Sequence, residues 1–579
     1  MKKLLKWMGI AVLTPILLFI ILAALLYLPP VQNWVAQRVT TIASERTGLE
    51  ICVGHVNLEW PLDLGIDDFR MLKSCDTIAD VKKLVVNVRL LPLLRGQVVV
   101  KELSLQQAKV NTNGFISDLR VKGRFEELWL SSKGIDLSKE TVLVNGARLH
   151  DAQLDIALSD TAATDTTKTS LAWKIDADSL SISRTDITLH LPEDTLDTDL
   201  SLGMAVARNV TVDLAKPLYE VGSVDLTDGR LSYEPIGMSD IALGIDSIRY
   251  ADTGTSFFIR HASLKDKSGL TMTELTGNVD LDSTFNHIRL PQLTLKTPDS
   301  NIMLDADMDF NAFDEQAPGT FRLRLFAQIG KQDILTLAGK LPQKFSEHFP
   351  NQPLVIRGSA DGNMEHLNLT GIDIDLPTAL HATINGTADH VRDLSRLKAD
   401  MLVDAKAQQL NFMTALMDPQ MSNSVRIPDG ITLNGRITAD GTNYTANLTA
   451  NEAGGSVKMI GKAHIPLDAQ GTLVIDRTTY DATVNIHHLN LHHFLPKDSI
   501  HTLTADISAS GYGTDFFSPQ SRIHADANIQ QLQYGHWNLD NMMATATLSD
   551  GRGQVNVTGH NQILEGSIVN VPPQGGRKH

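Results

Sequence analysis

From about Gly48 to the end of the chain, apolar and polar side chains alternate with a period of two. That is the period of a β-strand, whose successive side chains point to opposite faces, and not the 3.6 of a helix. In "LVVNVRL" the residues Leu84, Val86, Val88 and Leu90 share a face. In "TFRLRLFAQIG", Phe321, Leu323, Leu325, Ala327 and Ile329 lie opposite Arg322 and Arg324. "GITLNGRITADG" sets Ile431, Leu433 and Ile437 against Thr432, Asn434 and Arg436. Leu503 and Ile507 in "LTADISASG", and Ile523 and Ile529 in "RIHADANIQ", repeat the arrangement. The pattern predicts a mainly β fold of antiparallel strands with one dry and one wet face. Turn signals such as "ADGTNY", "NEAGGS" and "SDGRGQ" punctuate it. At about twelve residues per strand and turn, on the order of 40 strands are expected. Stacked at about 4.8 Å they would make a sheet of up to about 190 Å.

The apolar set is small and aliphatic, with only 5% aromatic residues in 579. A net charge of -16 offers no basic face for phosphate and argues against a nucleic-acid partner. The four histidines of "NIHHLNLHHF" (His487, His488, His492, His493), read as one strand, are too widely spaced to share an ion, so no metal is expected. Aspartate pairs in "DADMDF" and "IDIDL" lack the Gly and closing Glu of a calcium loop. No GxSxG, phosphate loop or HExxH occurs, so no catalytic residue, enzyme activity or cofactor is expected. Cys52 and Cys75 could pair in an oxidising compartment or serve as small hydrophobes.

The other strong signal is N-terminal. Lys2, Lys3 and Lys6 precede an uncharged run from Trp7 to Leu28. As a helix this run is roughly 33 Å long, enough to cross a hydrocarbon core of about 30 Å. Trp7 and Tyr27 sit where aromatic rings favour the membrane interface. The run is too long, and "LLYLPP" too poor a cleavage site, for a signal peptide, so a retained anchor is predicted. The lysines keep the tail cytoplasmic. From Val31 to about Arg46, apolar residues including Trp34 recur at helical steps and predict a short amphipathic helix. Short helices are also expected at Lys331–Phe349 and Leu410–Met421, and a loop at Ser159–Ser170.

The stretch "YLPPVQNWVAQRVTTIASERTGLEICVGHVNLEWPLDLGIDDFRM" resembles the start of TamB proteins of the AsmA-like, bridge-like lipid-transfer superfamily. "ADVKKLVVNVRLLPLLRGQVVVKELSLQQAKV", "TPDSNIMLDADMDF", "HFPNQPLVIRGSADGNMEHLNL" and "HHFLPKDSIHTLTADISASGYGTDFFSP" continue the likeness over nearly the whole length. The resemblance implies a long β-sheet curled into an open, solenoid-like trough, anchored in the bacterial inner membrane as a single pass with its bulk in the periplasm. It implies phospholipid transport between inner and outer membranes. It also implies support of outer-membrane protein assembly and autotransporter secretion beside an Omp85-type (TamA-like) barrel. The family's C-terminal β-domain has no counterpart here, which puts direct contact with that barrel in doubt. The expected division is 1–29 anchor, 30–48 amphipathic helix, 49–130 N-terminal β-region, 131–330 first trough part, 331–352 helical insertion and 353–579 second trough part.

A lipid tail of about 16 carbons costs on the order of 12 kcal/mol to expose to water, at about 0.8 kcal/mol per CH2. A row of inward aliphatic side chains removes that cost without any reaction. The lipid-groove candidates are therefore Leu84, Val86, Val88, Leu90, Phe321, Leu323, Leu325, Ile329, Ile431, Leu433, Ile437, Leu503, Ile507, Ile523 and Ile529, with Trp7, Tyr27 and Trp34 at the membrane interface. A period of two fits equally a filled sandwich or solenoid, a scaffold or assembly factor with no lipid cargo. An envelope hydrolase is the remote third class.

Overall fold

The computed structural model describes residues 50–59, 63–73, 76–88, 100–112, 119–136, 140–158, 173–191, 196–214, 216, 218–233, 236–314, 317–339, 341–417, 423–514, 518–549, 552–561 and 568–571. The expected anchor (1–29), amphipathic helix (30–48), Trp7, Tyr27, Trp34, Leu90, Cys75 and the Ser159–Ser170 loop lie outside them. No helix among the described residues is long and apolar enough to cross a membrane.

The fold is mainly β, with thirty-one strands from β1 (Glu50–Cys52) and β2 (His55–Glu59) to β31 (Ile568–Val571) among the described residues. The chain divides into two units, Met1–Pro298 and Asp299–His579. Within each, strands pair with their chain neighbours, nearly always antiparallel. The exception is β7 (Thr141–Leu158) with β8 (Lys174–Leu191), which run parallel over their whole length. This corrects the expected solenoid-like curl. In a solenoid each strand stacks on one a full coil away, whereas here the ladder is a meander whose first and last strands do not meet. The sheet is open.

Strands among the described residues are also longer than the turn signals predict. β6 (Leu119–Asp136), β7, β8 and β9 (Leu196–Asp213) have 18 residues each. The cause is a crease. Asp68 of β3 (Asp63–Lys73), Gln107 of β5 (Val100–Asn111), Asp151 of β7 and Arg184 of β8 have φ between 47° and 54° in mid-strand. Each of these residues is skipped in the register, as are Lys82 of β4 (Asp76–Val88), Glu126 of β6 and Gly203 of β9. The skipped positions line up across the sheet. A second line runs through Asp178, Asn209 (φ 54°), Gly222 of β10 (Leu218–Tyr233) and Ser247 (φ 55°) of β11 (Ile236–Ala251).

A left-handed residue bends its strand and puts two successive side chains outside, so the inward set changes parity. In β9 the inward residues are Leu200 and Leu202, then Ala205 and Ala207, then Val210 and Val212. β7 repeats this with Val142 and Val144, Ala147 and Leu149, then Ala152, Leu154 and Ile156. One hydrophobic cluster takes in residues from all three facets, so this inner face packs against itself. Leu84 is 0% exposed and Leu105 1%. On the outer face Arg208 and Arg260 clasp Asp225, and their hydrogen bonds and charge hold its carboxyl below the usual range.

The second unit is differently covered. The pairings from β20 (Leu380–Asp389) through β21 (Lys398–Ala407), β22 (Ile431–Asp440) and β23 (Asn443–Glu452) to β24 (Gly455–His464) run without any register break. Its one core cluster among the described residues sits beside the strand ends. There the expected helical insertion forms two short helices, α1 (Lys331–Leu337) and α2 (Gln343–His348), and Asn411–Leu416 forms a 3-10 helix. Phe345, Phe349 and Phe412 meet there with ring centroids 5.3–5.6 Å apart, over Leu376 and Ala379.

The two units should respond differently to truncation. Leu84→Ala or Leu105→Ala leaves a cavity in a sealed core and lowers unfolding free energy by about 2–5 kcal/mol. Leu433→Ala, from a partly buried site, costs about 1 kcal/mol. Urea titration of the three variants checks this, and equal losses would contradict the difference in covering.

Candidate apolar binding face

The second unit's register places one inward residue of each strand beside that of the next. In sequence these are Ile302, Ala327, Ile356, Ile374, Ala382, Ala405, Leu433, Ala450, Val457, Ile486, Ala505, Ile529 and Met542. They span β16 (Asn301–Asp309), β17 (Phe321–Ile329), β18 (Leu354–Gly362), β19 (His366–Leu376), β20 to β24, β25 (Thr479–Asn490), β26 (Ile500–Tyr512), β27 (Arg522–Tyr534) and β29 (Met542–Ser549). Twelve steps of about 4.8 Å make an aliphatic path of about 60 Å along the ladder. A second row runs beside it through Val403, Gly435, Leu448, Met459, Val484, Ile507, Ala527 and Ala544. A third is smaller: Met401, Ile437, Ala446, Gly461, Ala482, Ala509, Ala525 and Ala546.

Most of the large side chains in these rows are only half-buried, and Ile437 is 38% exposed. In a single-layer sheet, neighbours in the plane screen each side chain from the sides only. Half-burial without membership of a core cluster means that no protein layer covers this face among the described residues. The opposite face is polar and cross-paired, as in the clasp of Arg436 on Asp400 and the Thr438–Thr445 hydroxyl pair at 2.6 Å.

The predicted groove residues therefore fall into two groups. Leu433 and Ile529 lie in the first row, Ile507 in the second and Ile437 in the third. Ile523 stands one row further, beside Gly511 and Leu548. Ile431 and Leu503 sit at the opposite border, beside Ala407 and Leu489. Leu323, Leu325 and Ile329 share the face of Ala327 in β17 and are half-buried, while Phe321 is buried and stacks on Phe313 at 5.7 Å. Leu84 and Val86 belong to the sealed core of the first unit and have no surface to offer a ligand. Val88 ends β4.

One charged residue on the inner face was missed by the sequence reading. Glu452 follows Tyr444, Ala446, Leu448 and Ala450 at the two-residue step, but it stands inside the turn signal "NEAGGS". Its side chain is 5% exposed. One carboxylate oxygen accepts from His493 Nδ1 at 2.7 Å, and Oε2 has no hydrogen-bond partner among the described residues.

His493 reaches Glu452 because β25 stops at Asn490 and Leu491–His493 forms a 3-10 turn. The histidine run is thus not one strand, as the spacing argument assumed. His488 has φ 49°, its ring centroid lies 4.2 Å from that of His487, and His492 stacks on His501 at 4.8 Å. No group of three or more His, Cys, Asp or Glu side chains is placed to hold a metal among the described residues. Of the aspartate pairs, Asp373 is bound by Arg357 at 2.6 Å, and His381 lies 3.5–3.6 Å from Asp373 and Asp375. Cys52 is exposed.

Neither a family model nor a curated protein sequence matches this chain.

The Glu452–His493 pair generates a prediction. His493→Ala strands a buried carboxylate and lowers stability by about 1–3 kcal/mol. Adding Glu452→Leu restores most of that loss, because the apolar side chain suits its neighbours. Chemical denaturation of the single and double variants checks this, and an additive double-variant loss would contradict it.

Proposed function

We propose that the inner face of the second unit is a lipid-binding surface, and that the chain carries phospholipid between the inner and outer membranes of a bacterial envelope. The observation that carries this reading is the aliphatic path from Ile302 to Ile529, whose large side chains are half-buried on a face with no protein layer over it among the described residues, while Ala327, Ala382 and Ala505 within it are buried. Acyl chains gain about 0.8 kcal/mol per CH2 on such a surface. A row of aliphatic residues has no directional groups to hold a sliding ligand at one step. The likeness of the N-terminal stretch to TamB proteins supports the same reading. In it a single-pass inner-membrane anchor holds the N-terminus in the cytoplasm, and the bulk lies in the periplasm. Support of outer-membrane protein assembly and autotransporter secretion, beside an Omp85-type barrel, belongs to this proposal.

A second reading has its own observation. From β3 to β9 the creased first unit fills its inner face with its own side chains, as a scaffold without lipid cargo would. A photo-crosslinking residue at Leu433 or Ile507 in cells should capture lipid, whereas adducts to protein alone would favour the scaffold. Leu433→Arg should abolish lipid transfer between donor and acceptor vesicles while leaving the circular dichroism unchanged. Transfer at the wild-type rate with a folded variant would overturn the lipid reading.

A further inference from the structure

The outer face of the second unit carries a concavity of about 480 Å3 across β20 to β24. One row along it is Thr383, Asp404, Asn434, Thr449 and Lys458, each directly beside the next in the register. None of these five side chains has a hydrogen-bond or ion-pair partner among the described residues, and the same holds for Asn447 in the adjoining row. Lys462, Asp481 and Asn528 on the same face are likewise without one. Nearby, Asn485 and Gln530 bond Asp506, Thr545 bonds Asp526, and Asn451 bonds Thr432. The adjoining row also breaks the wet-face rule. It places Leu402, 56% exposed, and Ile460, 45% exposed, on the outside, one strand to either side of a centre formed by Arg436 and Asn447.

Unpaired amides and hydroxyls held rigidly by a sheet, beside exposed aliphatic surface, match a ligand with ring C–H faces and many hydroxyls. Charge selects against the alternatives. Arg436 is tied to Asp400, and Lys458 and Asp404 offset one another along the row, so the site favours neither an anion nor a cation. Backbone groups here are spent on the ladder, so an extended peptide finds no edge to join. We propose that this concavity binds a neutral oligosaccharide. The site faces away from the apolar rows and stands or falls independently of lipid transport.

The test is calorimetric titration of the full-length chain, in a sugar-free detergent where one is needed, with cellohexaose and chitohexaose as probes. Saturable binding of either sugar below about 1 mM is expected. Asn434→Ala with Asn447→Ala should weaken it at least about tenfold, two hydrogen bonds being lost. Asn528→Ala, on the same face three strands away, should leave it unchanged. Leu402→Ala, which removes aliphatic surface and no hydrogen bond, should also weaken it and serves if the double variant fails to fold. Absence of saturation with both sugars, or wild-type affinity in a folded double variant or in Leu402→Ala, would overturn the proposal.

Discussion

The alternation of side chains along a strand, and the points at which it is interrupted, governs everything else in this protein. An uninterrupted strand gives one dry and one wet face and leaves the dry face to be covered by something else. A left-handed residue in mid-strand adds a step of three to the steps of two and turns the next facet of the dry face toward the last. In the first unit Asp151, Arg184 and Asn209 do this strand after strand, and the aliphatic residues of successive facets seal one another. From β20 to β24 no such residue breaks the ladder, and the dry face stays half-exposed. The same composition thus gives a filled core in one unit and an open apolar surface in the other.

This difference bears directly on function. A surface that the protein covers with its own side chains stabilises the fold and binds nothing. A surface left uncovered carries a free-energy penalty in water, which a ligand with acyl chains relieves. Glu452 marks where the uncovered face ends. Its burial opposite Gly455, and its tie to His493, close the border with a charged pair rather than with another aliphatic residue.

The faces were legible in the sequence because a period of two is read directly from residue type. Leu433, Ile507 and Ile529 were placed on the inner face without any knowledge of the partners across the ladder. The creases were legible in principle and were missed. The expected strand length came from an average spacing of about twelve residues, which does not register that a strand can bend at Gln107, Asp151 or Arg184 and continue. The parity change from Leu202 to Ala205 is the signal that distinguishes a bend from an end. Register, the parallel pairing of β7 with β8 and the depth of covering are set by contacts between distant residues, which no single segment records. The histidine run misled for a local reason, since Asn490 caps a 3-10 turn through its side chain where alternation alone reads on as strand.

The central claim is that the dry face is sealed from β3 to β9 of the first unit and open in the second. Single cysteines placed at Leu84, Leu105, Leu433, Val484 and Ile507, in a background lacking Cys52 and Cys75, can be labelled with a maleimide in the native state. The account predicts that the last three react readily while the first two are slowed by orders of magnitude. Equal protection at all five positions would contradict it.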